Sequence, residues 1–148
     1  MKLFGIFLLS LLCLGNQEPL KLINATSYKW SSGVQGMKGE KYSFVLLAGK
    51  SSNVLKINKV WVGEQSLDFK VFKLGESAQY KNFEKGDTIM IICEHIINTK
   101  NPDNNTNNIN KEEASVYKGA AIIYYTVGKK EKSIVIKEIK NSKQLNYQ

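Results

Sequence analysis

The chain has a single histidine, which lies two residues after a cysteine in the segment MIICEHIIN. On a regular β-strand, alternate residues point to the same face, so Cys93 and His95 could form a thiol–imidazole pair or half of a metal site. A zinc site needs three or four ligands, and the only other cysteine, Cys13, lies near the N-terminus. We favour the alternative in which Cys93 packs with isoleucines in the core and His95 lies near the end of that face.

Catalytic motifs are missing from the rest of the sequence. There is no Gly-x-Ser-x-Gly elbow, and the glycine-rich segment GVQGMKG has neither the strand before it nor the helix after it that a phosphate-binding loop requires. The available acids sit mostly at expected turns. We therefore predict a non-enzymatic protein with no catalytic, cofactor-binding or metal site. A small hydrolase or metal-dependent enzyme that uses Cys93 and His95 is the alternative.

Aromatic and basic side chains are the candidates for surface recognition. Trp30 precedes a Gly-Ser loop and Trp61 ends an expected strand, so both could lie at one rim and form a platform for a sugar or a peptide. We favour the competing interpretation, which places both tryptophans in the core or at its end. Lys129, Lys130 and Lys132 make an expected hairpin basic, which fits either a binder of anionic glycans or protection of an edge strand against aggregation.

The charge of the chain is carried by an unusual set of cations. Among 148 residues there are 21 Lys or Arg and 13 Asp or Glu, and all of the cations are lysine. Specific reading of bases and bidentate binding of phosphate depend strongly on arginine, so we predict that nucleic acid is not a partner. A positive surface still favours anionic partners. The length allows one domain with a real core.

The N-terminus has the pattern of an export signal. Lys2 is followed by the apolar segment from Leu3 to Leu14, which is too short to span a bilayer and has the length of a signal-peptide core. We predict a signal peptide at residues 1–15 and a tether at residues 16–20. The expected location is the periplasm or the cell envelope, or outside the cell.

Cys13 leaves two processing routes open. Ordinary cleavage fits the small residues in Cys13-Leu14-Gly15 and would begin the mature chain at Asn16. Lipidation of Cys13, as in bacterial lipoproteins, fits a cysteine that closes an apolar run before a polar tether. Leu12 then occupies a position where lipoproteins prefer a small residue. We favour ordinary cleavage, and the protein would contact a membrane only if Cys13 is lipidated.

Residues 21–148 show the pattern of a single β-domain. Hydrophobic residues alternate in EKYSFVLLAG, a Lys-Gly-Asp turn precedes an Ile-rich strand, and Gly128 divides the final segment into a hairpin. Residues 98–114 are rich in asparagine and predict a flexible loop. These signals predict an all-β fold: one immunoglobulin-like antiparallel β-sandwich of about seven strands.

Three segments carry a resemblance to known proteins: ATSYKWSSG, FEKGDTIMIIC and AIIYYTVGKKEKSIVIKEIKNSKQLNY. They resemble segments of small, uncharacterised, exported β-sandwich proteins of the Gram-negative envelope. The resemblance implies architecture and location, and it transfers no functional residues. The expected role is therefore an exported binding or structural accessory module, with an unidentified protein or glycan as its partner and an unassigned oligomeric state.

Overall fold

In this computed structural model, the described residues are 18–32, 37–77, 79, 82–98, 119–142 and 145–146. They form strands and connecting turns and include no helix, which confirms the all-β prediction. The strands are β1 (Leu20–Ser31), β2 (Met37–Ala48), β3 (Leu55–Val62), β4 (Gln65–Leu67), β5 (Phe69–Lys73), β6 (Thr88–Asn98), β7 (Ala121–Val127), β8 (Lys130–Ile136), β9 (Lys140–Asn141) and β10 (Leu145–Asn146).

The strands form two sheets. The larger sheet has six strands, in the order β10-β1-β2-β6-β5 with β9 also paired to β1, and the smaller sheet has the order β4-β3-β7-β8. All pairings are antiparallel except those of β9 and β10 with β1. The two sheets contribute to one core, so the molecule is a β-sandwich.

The core is built from the alternate residues of each strand. Phe44, Leu46 and Ala48 of β2 are buried as their alternation predicts, and Tyr42 is half-buried beside them. A fully buried side chain of this kind contributes roughly 1.5–3 kcal/mol relative to exposure. The other buried residues of this cluster are Leu20, Ala25, Leu55, Val60, Leu67, Phe83, Ile89, Ile91, Cys93, Ala121, Ile123, Tyr125 and Ile136.

The segment SLDFKVFK predicts one strand in a hairpin with β3, but the structure divides it between the two sheets. β4 pairs with β3 across the Gly63 turn, but the chain then crosses at Asp68, and Phe69 pairs with Cys93 in the other sheet. Leu67 and Phe69 point into the core from different sheets, whereas Asp68 between them is exposed. One apolar stretch therefore contributes a strand to each sheet. The alternation of its residues does not show the position at which the chain changes sheet.

β6 is a central strand, but it is buried on one side only. Its inward face, with Ile89, Ile91 and Cys93, is buried. Met90, Ile92 and Ile96 make the outward face largely apolar as well, so the sequence predicts a strand buried on both faces. This prediction is wrong, because Met90 is half-buried and Ile96 is exposed. The reason is that the second sheet packs against one face of the larger sheet only.

The ends of the domain differ in several places from their predicted boundaries. β1 begins at Leu20, a core residue that lies inside the predicted tether. β6 extends to Asn98, the first residue of the predicted flexible loop, and the rest of that loop lies outside the described residues. The signal peptide and residues 16–17 of the tether also lie outside them.

Candidate functional site

Three strands of the larger sheet bring an aromatic, a glycine and an aliphatic residue into one row. Trp30 of β1 pairs with Gly39 of β2, and Gly39 pairs with Ile96 of β6. Phe44 on β2 points into the core, and the odd-numbered residues of this strand therefore point outwards. The row lies on the outward face of the sheet, at the end opposite Leu20 and Ala48.

The indole of Trp30 is packed directly on Gly39. A Cβ added to Gly39 would lie 2.6 Å from Cε2 of Trp30 and 2.7 Å from its Nε1, so only glycine leaves room for the ring in this position. A glycine inside a strand that is covered by a cross-strand aromatic keeps its backbone out of water. The ring is thus held across the sheet surface by its neighbour on β2.

Exposed aliphatic side chains border this ring. Ile96 is 47% exposed and Met37, two residues before Gly39 on the same outward face, is 36% exposed. We call Trp30, Met37, Gly39 and Ile96 the Trp30 patch. Aromatic residues and methionine are enriched at protein interfaces, where they form the central anchors.

The next row of the same face is aromatic and charged. Tyr28, Lys41 and Glu94 lie in register across β1, β2 and β6. The Lys41 Nζ lies 5.9 Å from the centroid of the Tyr28 ring, within the range of a cation–π contact. The Trp30 patch therefore has a polar border on one side, as a recognition surface with an apolar centre requires.

The indole N–H of Trp30 has no partner among the described residues. Its Nε1 is buried and makes no hydrogen bond within the described part of the chain. Buried indole N–H groups usually find an acceptor, and leaving one unpaired has a cost. Among the described residues, packing on Gly39 is therefore the contact that orients the ring.

Trp61 lies elsewhere and is buried. It pairs with Ile122 of β7 on the outward face of the smaller sheet and is 1% exposed, with Lys59 Nζ 5.8 Å from its ring centroid. A register shift between Ile57 and Lys59 changes which side chains point outwards on this strand. Trp30 and Trp61 thus occupy outward faces of different sheets and do not form the shared platform that their positions in the sequence suggested.

The predicted lysines form a separate basic surface. Lys129, Lys130 and Lys132 are all exposed at the start of the β7–β8 hairpin. The N–H of Gly128 in that turn donates to the carbonyl of Val54 at 2.8 Å, which places the turn at the end of the sandwich remote from the Trp30 patch. A ligand at these lysines would not contact Trp30.

Cys93 and His95 share the inward face, but the thiol is part of the core. Cys93 is buried, and burial together with the charge of Asp68 raises its pKa to about 12. A thiol with this pKa is protonated at neutral pH and is a poor nucleophile. His95 lies farther along the strand, where it is half-buried and pairs with Glu40.

The polar groups near His95 do not form a metal site within the described part of the chain. Burial, the charge of Glu40 and a hydrogen bond to that carboxylate raise the pKa of Tyr42. No cluster of three or more His, Cys, Asp or Glu side chains in the described ranges is arranged to hold a metal ion. The Cys93–His95 half-site therefore lacks its remaining ligands among these residues.

Cys13 lies outside the described residues, so its processing stays a prediction. Within the described ranges, no helix has the length and hydrophobicity needed to cross a membrane. No protein-family model, curated protein or solved structure matches this chain.

Proposed function

We propose that this protein is an exported immunoglobulin-like module of the bacterial cell envelope, and that it binds a partner protein through the Trp30 patch. The strand order supports the immunoglobulin-like assignment. The sequences β1-β2-β6-β5 and β4-β3-β7-β8 correspond to the A-B-E-D and C′-C-F-G orders of immunoglobulin domains. The apolar leader, with Lys2 at its start, supports export.

The observation that carries the binding role is the outward row of Trp30 and Ile96 on either side of Gly39. Ile96 and Met37 are exposed next to an indole that the sheet holds in place. A ring fixed before binding loses little conformational freedom when a partner covers it. Aliphatic side chains beside the ring favour a protein surface over a sugar, whose many hydroxyl groups need polar partners.

A non-enzymatic role is supported by the state of the best catalytic candidates. The Cys93 thiol packs in the core with a raised pKa, and Trp30 lies on the opposite face of the same sheet. The residues that could react and the residues that are exposed for binding are therefore separated by the sheet itself.

Site-specific photocrosslinking in the native cells tests this function. A photoreactive residue at Ile96 or at Met37 should give the same discrete protein adduct. The matched control is Leu74, which is 53% exposed in the turn after β5, at the other end of the sandwich, and should give no such adduct. Adding Trp30→Ser to the Ile96 probe should remove the adduct while the thermal unfolding curve still shows a folded domain.

Two outcomes would contradict the proposal. Equal labelling at Ile96 and Leu74, or labelling that survives Trp30→Ser, would remove the Trp30 patch as the binding surface. Absence of an adduct combined with retention on heparin resin that falls steeply with salt would favour the anionic-glycan alternative at Lys129, Lys130 and Lys132.

A further inference from the structure

Among the described residues, the edge of β8 that faces away from β7 is unpaired along its whole length. β8 pairs with β7 at every residue from Lys130 to Ile136, and no strand in the described ranges pairs with its other side. The edge of β1 is partly covered by β9 and β10, and β5 is bridged at Phe72 by Gln79. An open, regular edge is a template for a further strand.

The backbone groups available on that edge can be identified. The carbonyl of Ile136 accepts a hydrogen bond from the N–H of Ala120 at 2.8 Å, so it is directed towards the β7 side. This direction alternates along an antiparallel strand. The N–H and C=O groups of Glu131, Ser133 and Val135 therefore point away from β7, towards the open edge of the sheet. Val135 is also 42% exposed, so its side chain offers apolar surface beside this edge.

We propose that β8 pairs antiparallel with β8 of a second copy of this chain, with the two-fold axis passing beside Ile134. The segment from Lys130 to Glu138 reads KEKSIVIKE. In this register Ser133 faces Val135 of the second copy and Lys132 faces Ile136. Glu131 faces Lys137, the residue that directly follows the end of β8. The ends of the segment are thus complementary in charge, and its uncharged centre pairs with itself, as an isologous interface requires.

Neighbouring registers are less favourable. Centring the axis on Ser133 would place Glu131 opposite Val135, so a carboxylate would face an apolar side chain. Centring it on Lys132 would place two lysine side chains directly opposite each other, which destabilises a sheet. Lys132 therefore disfavours the second of these registers, in addition to the recognised role of edge lysines in blocking unspecific edge pairing.

A cleft with both apolar and charged lining lies next to this edge. It has a volume of about 670 Å³ and separates β8 from the start of β1, and Leu22, Tyr125, Ile134, Lys21 and Lys132 are among its lining residues. Ile23, at the register shift of β1, is 56% exposed beside it. Pairing of the two β8 strands would bring these surfaces of both copies together. This interface is independent of the Trp30 patch, which lies on the other sheet.

Charge reversal tests the register. In sedimentation experiments on the exported protein, loaded from about 1 µM to 1 mM, we expect a monomer–dimer equilibrium. E131K and K137E should each weaken the dimer about tenfold, because each replaces two attractive cross-strand pairs with repulsive ones. The double variant has the net charge of the natural protein and should restore dimerisation. K70E, which removes the same charge as K137E from an exposed position on β5, is the control and should change nothing.

Amide hydrogen exchange provides a second readout. The amides of Ser133 and Val135 that face the open edge should exchange more slowly as the concentration rises, and E131K should shift this dependence to about tenfold higher concentration. A monomer at every concentration would overturn the proposal. So would a dimer that none of the substitutions changes, or an open-ended assembly, since a two-fold interface is closed.

Discussion

The buried hydroxyl of Ser27 in the first strand donates a hydrogen bond to Oδ1 of Asn141 near the C-terminus at 2.8 Å. The N–H and the hydroxyl of Ser142 both donate to the carbonyl of Ser27, at 2.7 and 2.9 Å. The C-terminal segment is therefore attached to the outer edge of β1 and satisfies the one buried polar side chain among the described residues. The C-terminal segment of the chain therefore covers part of this edge.

Removing the acceptor of this bond should destabilise the domain more than removing the donor. Asn141→Ala leaves the Ser27 hydroxyl buried without a partner and should lower the free energy of unfolding by about 1–3 kcal/mol. Ser27→Ala leaves Asn141, which is exposed and can bond to water, so its effect should be smaller. The double variant should resemble Ser27→Ala in urea titrations. Equal and additive effects of the two single changes would contradict this coupling.

Gly39→Ala should displace the Trp30 ring. The added methyl group would lie 2.6 Å from the indole, and such overpacking should lower the free energy of unfolding by about 1–3 kcal/mol. Trp30→Ala in the same chain removes the clash, so the double variant should lose less stability than the two single changes together. Ser43→Ala, on the same face of β2, is the control and should have little effect. Chemical denaturation measures all four variants, and simple additivity would contradict direct packing.

Local patterns predicted the fold where neighbouring strands are also neighbours in the sequence. Gly86 and Gly128 adopt positive φ at the predicted turns, and the β7–β8 hairpin forms as expected. The inward face of β2 was also predicted, because its period of two is regular. Such features depend on a few adjacent residues and on the burial of one face.

Features that join distant segments were not predicted. Nothing in the sequence around Ser27 indicates that Asn141 will lie beside it. The contact depends on the crossing of the chain from β8 to the edge of β1. The register shift near Asn58 was not predicted either. It inserts one extra residue into β3 and so changes the face on which Trp61 lies.

The candidate site could be predicted only in part. Trp30 was a candidate for surface recognition beside the favoured alternative of a core position, and its neighbours Met37, Gly39 and Ile96 were not candidates. A prediction of the β1–β2 pairing would have placed Gly39 opposite Trp30, since a glycine opposite a tryptophan is a known cross-strand arrangement. Ile96 was assigned to a buried face because the sequence does not show on which side of a sheet the second layer packs.

The Cys93 thiol should make stability depend on pH in the alkaline range. Its pKa rises from 9.0 to about 12 on folding, so the folded state keeps its proton in a range where the unfolded state has lost it. The contribution is complete below pH 9 and is lost as the pH rises from 9 towards 12. The difference in unfolding free energy between the natural protein and Cys93→Ala should therefore shrink between pH 8 and about pH 11. A difference that stays constant would contradict the raised pKa.

The same burial should protect Cys93 from thiol reagents. At pH 8 the folded protein should react with a maleimide far more slowly than the protein in urea, because both access and thiolate content are low. A matched comparison is Ser66→Cys, which places a thiol on a half-buried, outward-facing position of β4. Fast labelling of the natural protein would show that this part of the core opens readily and would reopen a chemical role for the Cys93–His95 pair.

The mass of the mature protein should distinguish the two fates of Cys13. Ordinary cleavage predicts an N-terminus at Asn16 and a protein released in the soluble fraction when the envelope is opened. Lipidation predicts an acylated N-terminal cysteine and membrane retention, which Cys13→Ser would abolish. We expect cleavage before Asn16, because Leu12 occupies the position where lipoproteins carry a small residue. In that case Cys13→Ser should leave both the mature mass and the fractionation unchanged, since a small residue still stands before Leu14 and Gly15.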